Sequence, residues 1–293
     1  MNAKHLALSM PLFAVLLTAC ANAGPPVPSP FAGLETLPPI RTVMECLPKD
    51  AALVAAHRGT SAAYIEPENS ISALERLIAN NTMMAEIDIA AISDGTPIIF
   101  HDGVWDYHTD QSGPVVSTRP EDFARLRLRN TKNTVTAEPV PTLAAMLDAA
   151  KDRIYLEVDF KTSSDIETTI QMIRDRDMVD QVILIATDAA EAIALKPYAE
   201  EFLMSLPQAP KGTGAGPKQG VWIGAKWKDG GEKRIQARNY VLGAQWQKNP
   251  AELTKAARAL DILVTDQAQR YAPVAKLDKV AAFRNCLKAA DAA

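Results

Sequence analysis

The chain has 293 residues, with 31 Lys plus Arg against 35 Asp plus Glu, a net charge of −4, 47% hydrophobic residues and three cysteines. With no Lys/Arg-rich run it carries no electrostatic footprint for nucleic acid, and its apolar fraction excludes a disordered chain. The cysteines include no Cys-x-x-Cys pair, which excludes a zinc ribbon or a thioredoxin-type centre, and no apolar run beyond the N-terminus is long enough to cross a bilayer.

Lys4 begins a short positive region, Leu6 to Leu17 form an apolar stretch too short to span a membrane, and small residues follow, the pattern of an export signal. Leu17-Thr18-Ala19-Cys20 resembles the lipobox of bacterial lipoproteins. That reading makes residues 1–19 a signal peptide, puts a lipid on Cys20, and places the protein at the bacterial cell envelope, anchored and facing the periplasm. Ala21-Asn22-Ala23 offers the alternative, a small-x-small cleavage site that would release a soluble periplasmic or secreted protein without Cys20. Residues 20–48, with seven prolines between Gly24 and Pro48, read as an extended tether, and residues 49–293 as the folded domain. Cys46 and Cys286 then remain near the two ends of that domain in an oxidising compartment, and they are expected to form a disulfide.

From residue 53 onward, short apolar runs alternate with helical stretches. Strands are expected at 53–56, 84–90, 153–160, 182–186, 202–206, 221–225, 240–244 and 261–264, with helices such as 68–79, 142–150, 163–175 and 250–259 between them. Eight such units in about 240 residues suit an α/β fold of the closed (β/α)8 TIM-barrel type better than a doubly wound sheet. Residues 207–220, rich in Gly and Pro, read as a loop and do not match the phosphate-loop spacing.

An extra return strand follows the second barrel strand, because the alternating run 87–93 meets Asp94-Gly95 and Thr96 to His101 runs out, the signature of a hairpin. A two-residue turn at Asp94-Gly95 would set Asp88 opposite His101, with Glu86 on the same strand face as Asp88. Carboxylates clustered on a buried strand are costly unless a positive group sits among them. His57 and His101 end strand-like runs, where a β/α barrel carries its catalytic groups, whereas His108 has no such context and reads as a surface residue. Glu68 and Asn69 follow Pro67 and could equally cap a helix or serve a site. Trp105, Trp222, Trp227 and Trp246 read mainly as packing residues.

His57-Arg58-Gly59, Pro67-Glu68-Asn69-Ser70, Glu86-Ile87-Asp88, Asp94-Gly95 and His101-Asp102 occur in this order. Val140-Pro141-Thr142-Leu143, Glu157-Val158-Asp159-Phe160-Lys161 and Thr265-Asp266 follow. The series resembles the ordered signature of the glycerophosphodiester phosphodiesterase family and covers about residues 53–267. The resemblance implies a TIM barrel that hydrolyses glycerophosphodiesters to glycerol 3-phosphate and an alcohol with one divalent metal ion, Ca²⁺ or Mg²⁺. By position it implies Glu86, Asp88 and Asp159 as metal ligands and His57 and His101 as the acid/base pair. Arg58, Lys161 and Glu68 would bind the small-molecule substrate. Three carboxylates suit such a hard cation. The third ligand of the family is usually the Glu of Glu-x-Lys. Asp159-Phe160-Lys161 is instead similar to sphingomyelinase D-like phosphodiesterases, so a phospholipase D-like action on lysolipids is the enzyme alternative. A catalytically silent phosphodiester-binding lipoprotein is the other.

Overall fold

The structure, a computed structural model, describes residues 36–161, 163–207, 218–227, 232, 239–244, 246, 252–271, 274–275 and 280–291. The export signal, Cys20, most of the tether and residues 208–217 of the Gly/Pro-rich loop lie outside the described residues.

Eight parallel strands close into a barrel: β1 (Ala52–Ala56), β2 (Met84–Ala91), β4 (Tyr155–Phe160), β5 (Val182–Ile185), β6 (Leu203–Pro207), β7 (Gly220–Trp222), β8 (Tyr240–Ala244) and β9 (Ile262–Thr265), with β1 pairing both β2 and β9. The expected (β/α)8 TIM barrel is therefore the fold. The antiparallel return strand is β3 (Pro97–Ile99) on β2, and a second antiparallel strand, β10 (Val274–Ala275), pairs β1 without having been signalled by the sequence. Two residues are too short for a periodic pattern to register.

Helices α2 (Ile71–Ala79), α4 (Leu143–Ala150) and α5 (Ile166–Arg174) begin at side-chain caps. Ser70, Thr142 and Asp165 each accept a backbone N–H of the first turn. Outward strand residues such as Val54, Ile87, Ile89 and Val158 pack against this helical layer with Leu74, Leu77, Leu147, Ile170 and Ile173. The opposite set, period two along each strand, fills the barrel's lower interior with Leu53, Met84, Tyr155, Ile183, Leu203 and Ile262.

The bottom of the barrel is plugged by α1 (Ile40–Cys46) and the last helix, α6 (Val280–Asp291), through Ile40, Val43, Phe283 and Leu287. A helix thus stands inside the segment read as tether. Pro38, Pro39 and Pro48 flank it rather than interrupt it, and Pro39 occupies the N-cap, where its missing N–H costs nothing. Cys46 and Cys286 join the two helices in a disulfide, with Cα atoms 5.6 Å apart. The bridge spans 240 residues of sequence, and in the chain-entropy account closing such a loop stabilises the fold by about 5 kcal/mol. Cys286→Ser is expected to lower the urea midpoint accordingly, and an unchanged midpoint would refute that contribution.

Between β3 and α4 the chain builds a small layer over the barrel mouth with its own core of Phe100, Trp105, Val115, Leu126, Leu128 and Val140. Short helix α3 (Pro120–Phe123) lies within it. The β2–β3 hairpin departs from the expected register. Ile89 faces Ile99 and Ala91 faces Pro97, so Asp88 stands opposite Phe100 rather than His101. The loop holds three residues, Ser93-Asp94-Gly95: Ile92 and Thr96 bond across it, and Gly95 takes φ +86°, a left-handed conformation that glycine supplies.

Candidate active site

Barrel register assembles the carboxylates. β2 and β4 pair with Glu86 beside Glu157 and Asp88 beside Asp159, so all four inward side chains stack in two layers. Ligand oxygens of Glu86, Asp88 and Asp159 lie within 4.8 Å of one another near the mouth. Glu157 sits deeper, with no exposure and with neither side-chain oxygen hydrogen-bonded among the described residues.

Burial and the charge of Asp88 push Glu86 well above the carboxylate range, against the backbone N–H of Arg58 that donates to its Oε2 at 2.7 Å. Asp159 is also pushed up by burial, with Lys161 pulling the other way. Lys161 Nζ lies 2.8 Å from Asp88 Oδ1 and 2.6 Å from Asp159 Oδ2. Burial opposes its charge, but those two carboxylates raise its pKa. One cation among three carboxylates leaves the cluster short of positive charge. Asp159 Oδ1 is buried without a partner among the described residues. An oxygen-only donor set with an orphaned acceptor fits a hard divalent cation.

Burial, followed by the charge of Asp159, pushes the Glu157 carboxyl up to about 8, so it holds its proton near neutrality. A carboxyl raised in the folded state loses stability as pH climbs from the unfolded pKa of about 4.3 toward the folded one. Glu157→Gln removes that loss. In EDTA it is expected to match the wild type in urea titrations at pH 5 and to exceed it at pH 8.5 by on the order of a few kcal/mol. Equal stability of the two proteins at both pH values would refute the buried neutral acid.

The loop after β1 supplies the next group of side chains. Arg58 has φ 52° and Asn69 φ 54°. Asn tolerates the left-handed region, but for Arg it costs about 1–3 kcal/mol. The conformation turns the Arg58 N–H onto Glu86 and leaves the Arg58 carbonyl to accept Asn69 N at 2.7 Å. Asn69 in turn grips Asp88: its Nδ2 donates to Asp88 Oδ2 at 2.7 Å, and its Oδ1 accepts Asp88 N at 3.2 Å. Neither Glu68 nor Asn69 caps α2, a role that falls to Ser70. Glu68 Oε1 accepts Arg58 Nη1 at 2.8 Å. Burial works against the Arg58 charge, but Glu68, Asp88 and Asp102 together raise its pKa.

Each of the two strand-end histidines has its Nδ1 on a carboxylate. His57 Nδ1 lies 2.7 Å from Asp266 Oδ1, and His101 Nδ1 lies 2.7 Å from Asp102 Oδ1. The hydrogen bond with His57 holds Asp266 below the usual carboxylate range. Arg58 Nη2 is 3.0 Å from His101 Nε2. A guanidinium only donates, so His101 accepts at Nε2 and donates from Nδ1. Trp246, 40% exposed, leans on the His57 ring with centroids 4.8 Å apart, whereas Trp105 is core.

His108 is not the free surface residue its sequence context implied. Its Nε2 lies 3.3 Å from Asp102 Oδ2 and 3.7 Å from Glu68 Oε1. The layer between β3 and α4 folds it back over the mouth, a placement that no local pattern announces. The orienting roles of Asp102 and Asp266 were likewise missed. The only signal was their place in motifs, directly after His101 and at the end of the last barrel strand.

Two cavities flank this cluster. One, of about 390 Å³, is lined by Glu68, Tyr107, His108, Arg129, Asn130 and Asn133 among others. The other, of about 300 Å³, is more apolar, with Ala90, Val115 and Val116 beside His101, Asp102 and Lys161.

The chain is similar to known proteins in sequence and in fold. Glycerophosphodiester phosphodiesterase 1 of Mus musculus is 31% identical over 143 residues, 46% of this chain and 42% of the relative. Its Homo sapiens counterpart is 33% identical over 115 residues, 37% and 33% respectively. The chain thus spans less than half the length of these relatives. Among solved structures, a glycerophosphoryl diester phosphodiesterase of Parabacteroides distasonis superposes with a TM-score of 0.66 at 18% identity, covering 87% of this chain and 93% of that one. A phosphodiesterase of Oleispira antarctica, solved in complex with the product sn-glycerol-3-phosphate, gives 0.63 at 19% identity, covering 78% and 96%. At these identities the structures establish the shared barrel. The sequence model described as the glycerophosphoryl diester phosphodiesterase family matches residues 57–205, half of the chain and the stretch that runs from His57 through Lys161. The chain therefore belongs to the glycerophosphoryl diester phosphodiesterase family.

Proposed function

We propose that this protein hydrolyses glycerophosphodiesters to glycerol 3-phosphate and an alcohol, with His57 and His101 as the acid/base pair. The observation that carries the reading is the pairing of each imidazole Nδ1 with a carboxylate at 2.7 Å beside one cluster of three acids. An imidazole so held has Nε2 as its proton-transfer atom, which on His101 the Arg58 guanidinium vacates when it turns to the phosphate, and its orienting carboxylate stabilises the ring once it is protonated. One histidine takes the proton of the glycerol hydroxyl next to the phosphate, whose oxygen then attacks phosphorus and closes a cyclic phosphate. The other protonates the departing alcohol oxygen. In the second half the roles reverse, and water opens the ring.

Arg58 meets phosphate oxygens with its planar fork and Lys161 with a point charge, while Glu68 holds the Arg58 guanidinium and the glycerol end of the substrate. Glu86, Asp88 and Asp159 are the residues that would hold the cation, Ca²⁺ or Mg²⁺. When bound, it supplies positive charge against the phosphate oxygens. A second reading, cleavage of lysolipids in the phospholipase D manner, is favoured by the apolar lining of the 300 Å³ cavity next to His101. Product analysis with glycerophosphocholine and lysophosphatidylcholine separates the two. Release of glycerol 3-phosphate supports the first, release of lysophosphatidate the second, and neither product would sink both.

For location, the lipobox-like Leu17-Thr18-Ala19-Cys20 supports an anchor on Cys20 at the periplasmic side of a bacterial envelope. Among the described residues no helix is long and apolar enough to cross a membrane. The mass of the mature N-terminus tests the anchor: a chain beginning after Ala23 without lipid would refute it.

A further inference from the structure

We propose that His108 is a positioning residue that closes a ring of five side chains and thereby fixes His101 and Arg58 for the reaction. The proposal rests on the phosphodiesterase reading above. The ring runs from Arg58 Nη1 to Glu68 Oε1 at 2.8 Å and from Arg58 Nη2 to His101 Nε2 at 3.0 Å. It continues from His101 Nδ1 to Asp102 Oδ1 at 2.7 Å and from Asp102 Oδ2 to His108 Nε2 at 3.3 Å. His108 Nε2 to Glu68 Oε1, at 3.7 Å, completes it.

Two carboxylates face the same His108 nitrogen, and ionised carboxylates only accept, so a proton on His108 Nε2 is attracted to both. His108 is thus the one member that bridges Glu68 and Asp102, the two acids that orient the working groups. Without it, among the described residues, the Asp102 side chain is held by His101 alone, through Oδ1, and the Glu68 side chain by Arg58 alone. Each acid is then free to swing toward solvent, since Glu68 is 24% and Asp102 25% exposed in the side chain.

The bridge itself is anchored. The His108 N–H donates to the Trp105 carbonyl at 3.3 Å, and its own carbonyl accepts Arg129 N at 2.7 Å. Its ring meets Phe100 edge-on at 6.3 Å between centroids. Phe100 directly precedes His101 and belongs to the buried core of the mouth layer. The layer over the mouth is therefore tied to the acid/base apparatus through His108.

The test compares His108→Ala with His108→Gln, whose side-chain amide can still donate to both carboxylates. Outer-shell residues that orient the ligands of a metal site are typically worth about 10–100-fold, a scale that suits a positioning residue of this kind. His108→Ala is expected to lower kcat on glycerophosphocholine by about tenfold with KM within twofold, and His108→Gln to recover most of it. Independently of turnover, long-range ¹H–¹⁵N spectra of the imidazoles read the His101 tautomer. It should be the Nδ1–H form in the wild type and in His108→Gln, and lose that single form in His108→Ala. If the wild type turns over no phosphodiester, the functional reading fails while the spectra still decide the ring. An unchanged His101 pattern in His108→Ala would overturn the proposal, and so would a Gln variant as impaired as the Ala variant.

Discussion

Replacing His57 or His101 with Ala is expected to lower kcat on glycerophosphodiesters by about 10²–10⁴-fold, the usual worth of a positioned acid or base. The fold should survive, because neither ring belongs to a core: the side chains are 28% and 31% exposed, His57 is tethered by Asp266, and His101 by Asp102 and Arg58. Thermal unfolding close to that of the wild type is the control. A substrate with an activated leaving group assigns the two roles. Its departure needs no protonation, so the variant lacking the acid regains most of its rate while the variant lacking the base does not. Near-normal rates in both Ala variants would remove the acid/base pair from the mechanism.

Stripping the divalent ion with EDTA should abolish activity, and Ca²⁺ or Mg²⁺ should restore it. Asp159→Asn tests the same site through the ligand with an unpartnered oxygen. The amide keeps the shape and loses the charge, and an oxygen remains for Lys161, so its effect falls on ion binding rather than on packing. A bound ion that stabilises phosphate charge is worth several kcal/mol, so a loss of about 10²-fold at fixed metal is expected, with part of it recovered at higher metal concentration. Asp88→Asn should be worse for stability. One Asp88 oxygen is bound by Lys161 and the other by Asn69 Nδ2, and an amide cannot accept both. Full activity in EDTA would exclude the metal site as proposed.

Much of the barrel was legible in advance. Strand-length apolar runs, several of them followed by helical stretches, mark the β/α units, and each observed barrel strand begins or ends within about two residues of its expected bounds. The Ser, Thr and Asp caps explain where the helices start, but Glu68 and Asn69 show the limit of that logic. Pro-Glu-Asn reads equally well as a helix start and as a loop bent back into a site, and only the contacts with Arg58 and Asp88 decide between them. The hairpin register failed for a related reason. Asp94-Gly95 signals a turn but not its length, and one extra residue moved His101 from opposite Asp88 to one place beyond it. His101 still reaches the site through Arg58.

The sequence by itself determined the period, and with it the fold class, the ordered acids and histidines, and the pairing of Cys46 with Cys286. Periodicity is a local property, set by which face of each strand or helix must leave water. Tertiary structure decided which side chains share one point: the level of Glu86 against Glu157, the carboxylate behind each imidazole, and the return of His108 over the mouth. These depend on barrel register and on the folding of a long inter-strand layer. Both are fixed by contacts between residues far apart in the chain, such as His57 with Asp266 across 209 positions, so no window along the sequence contains them.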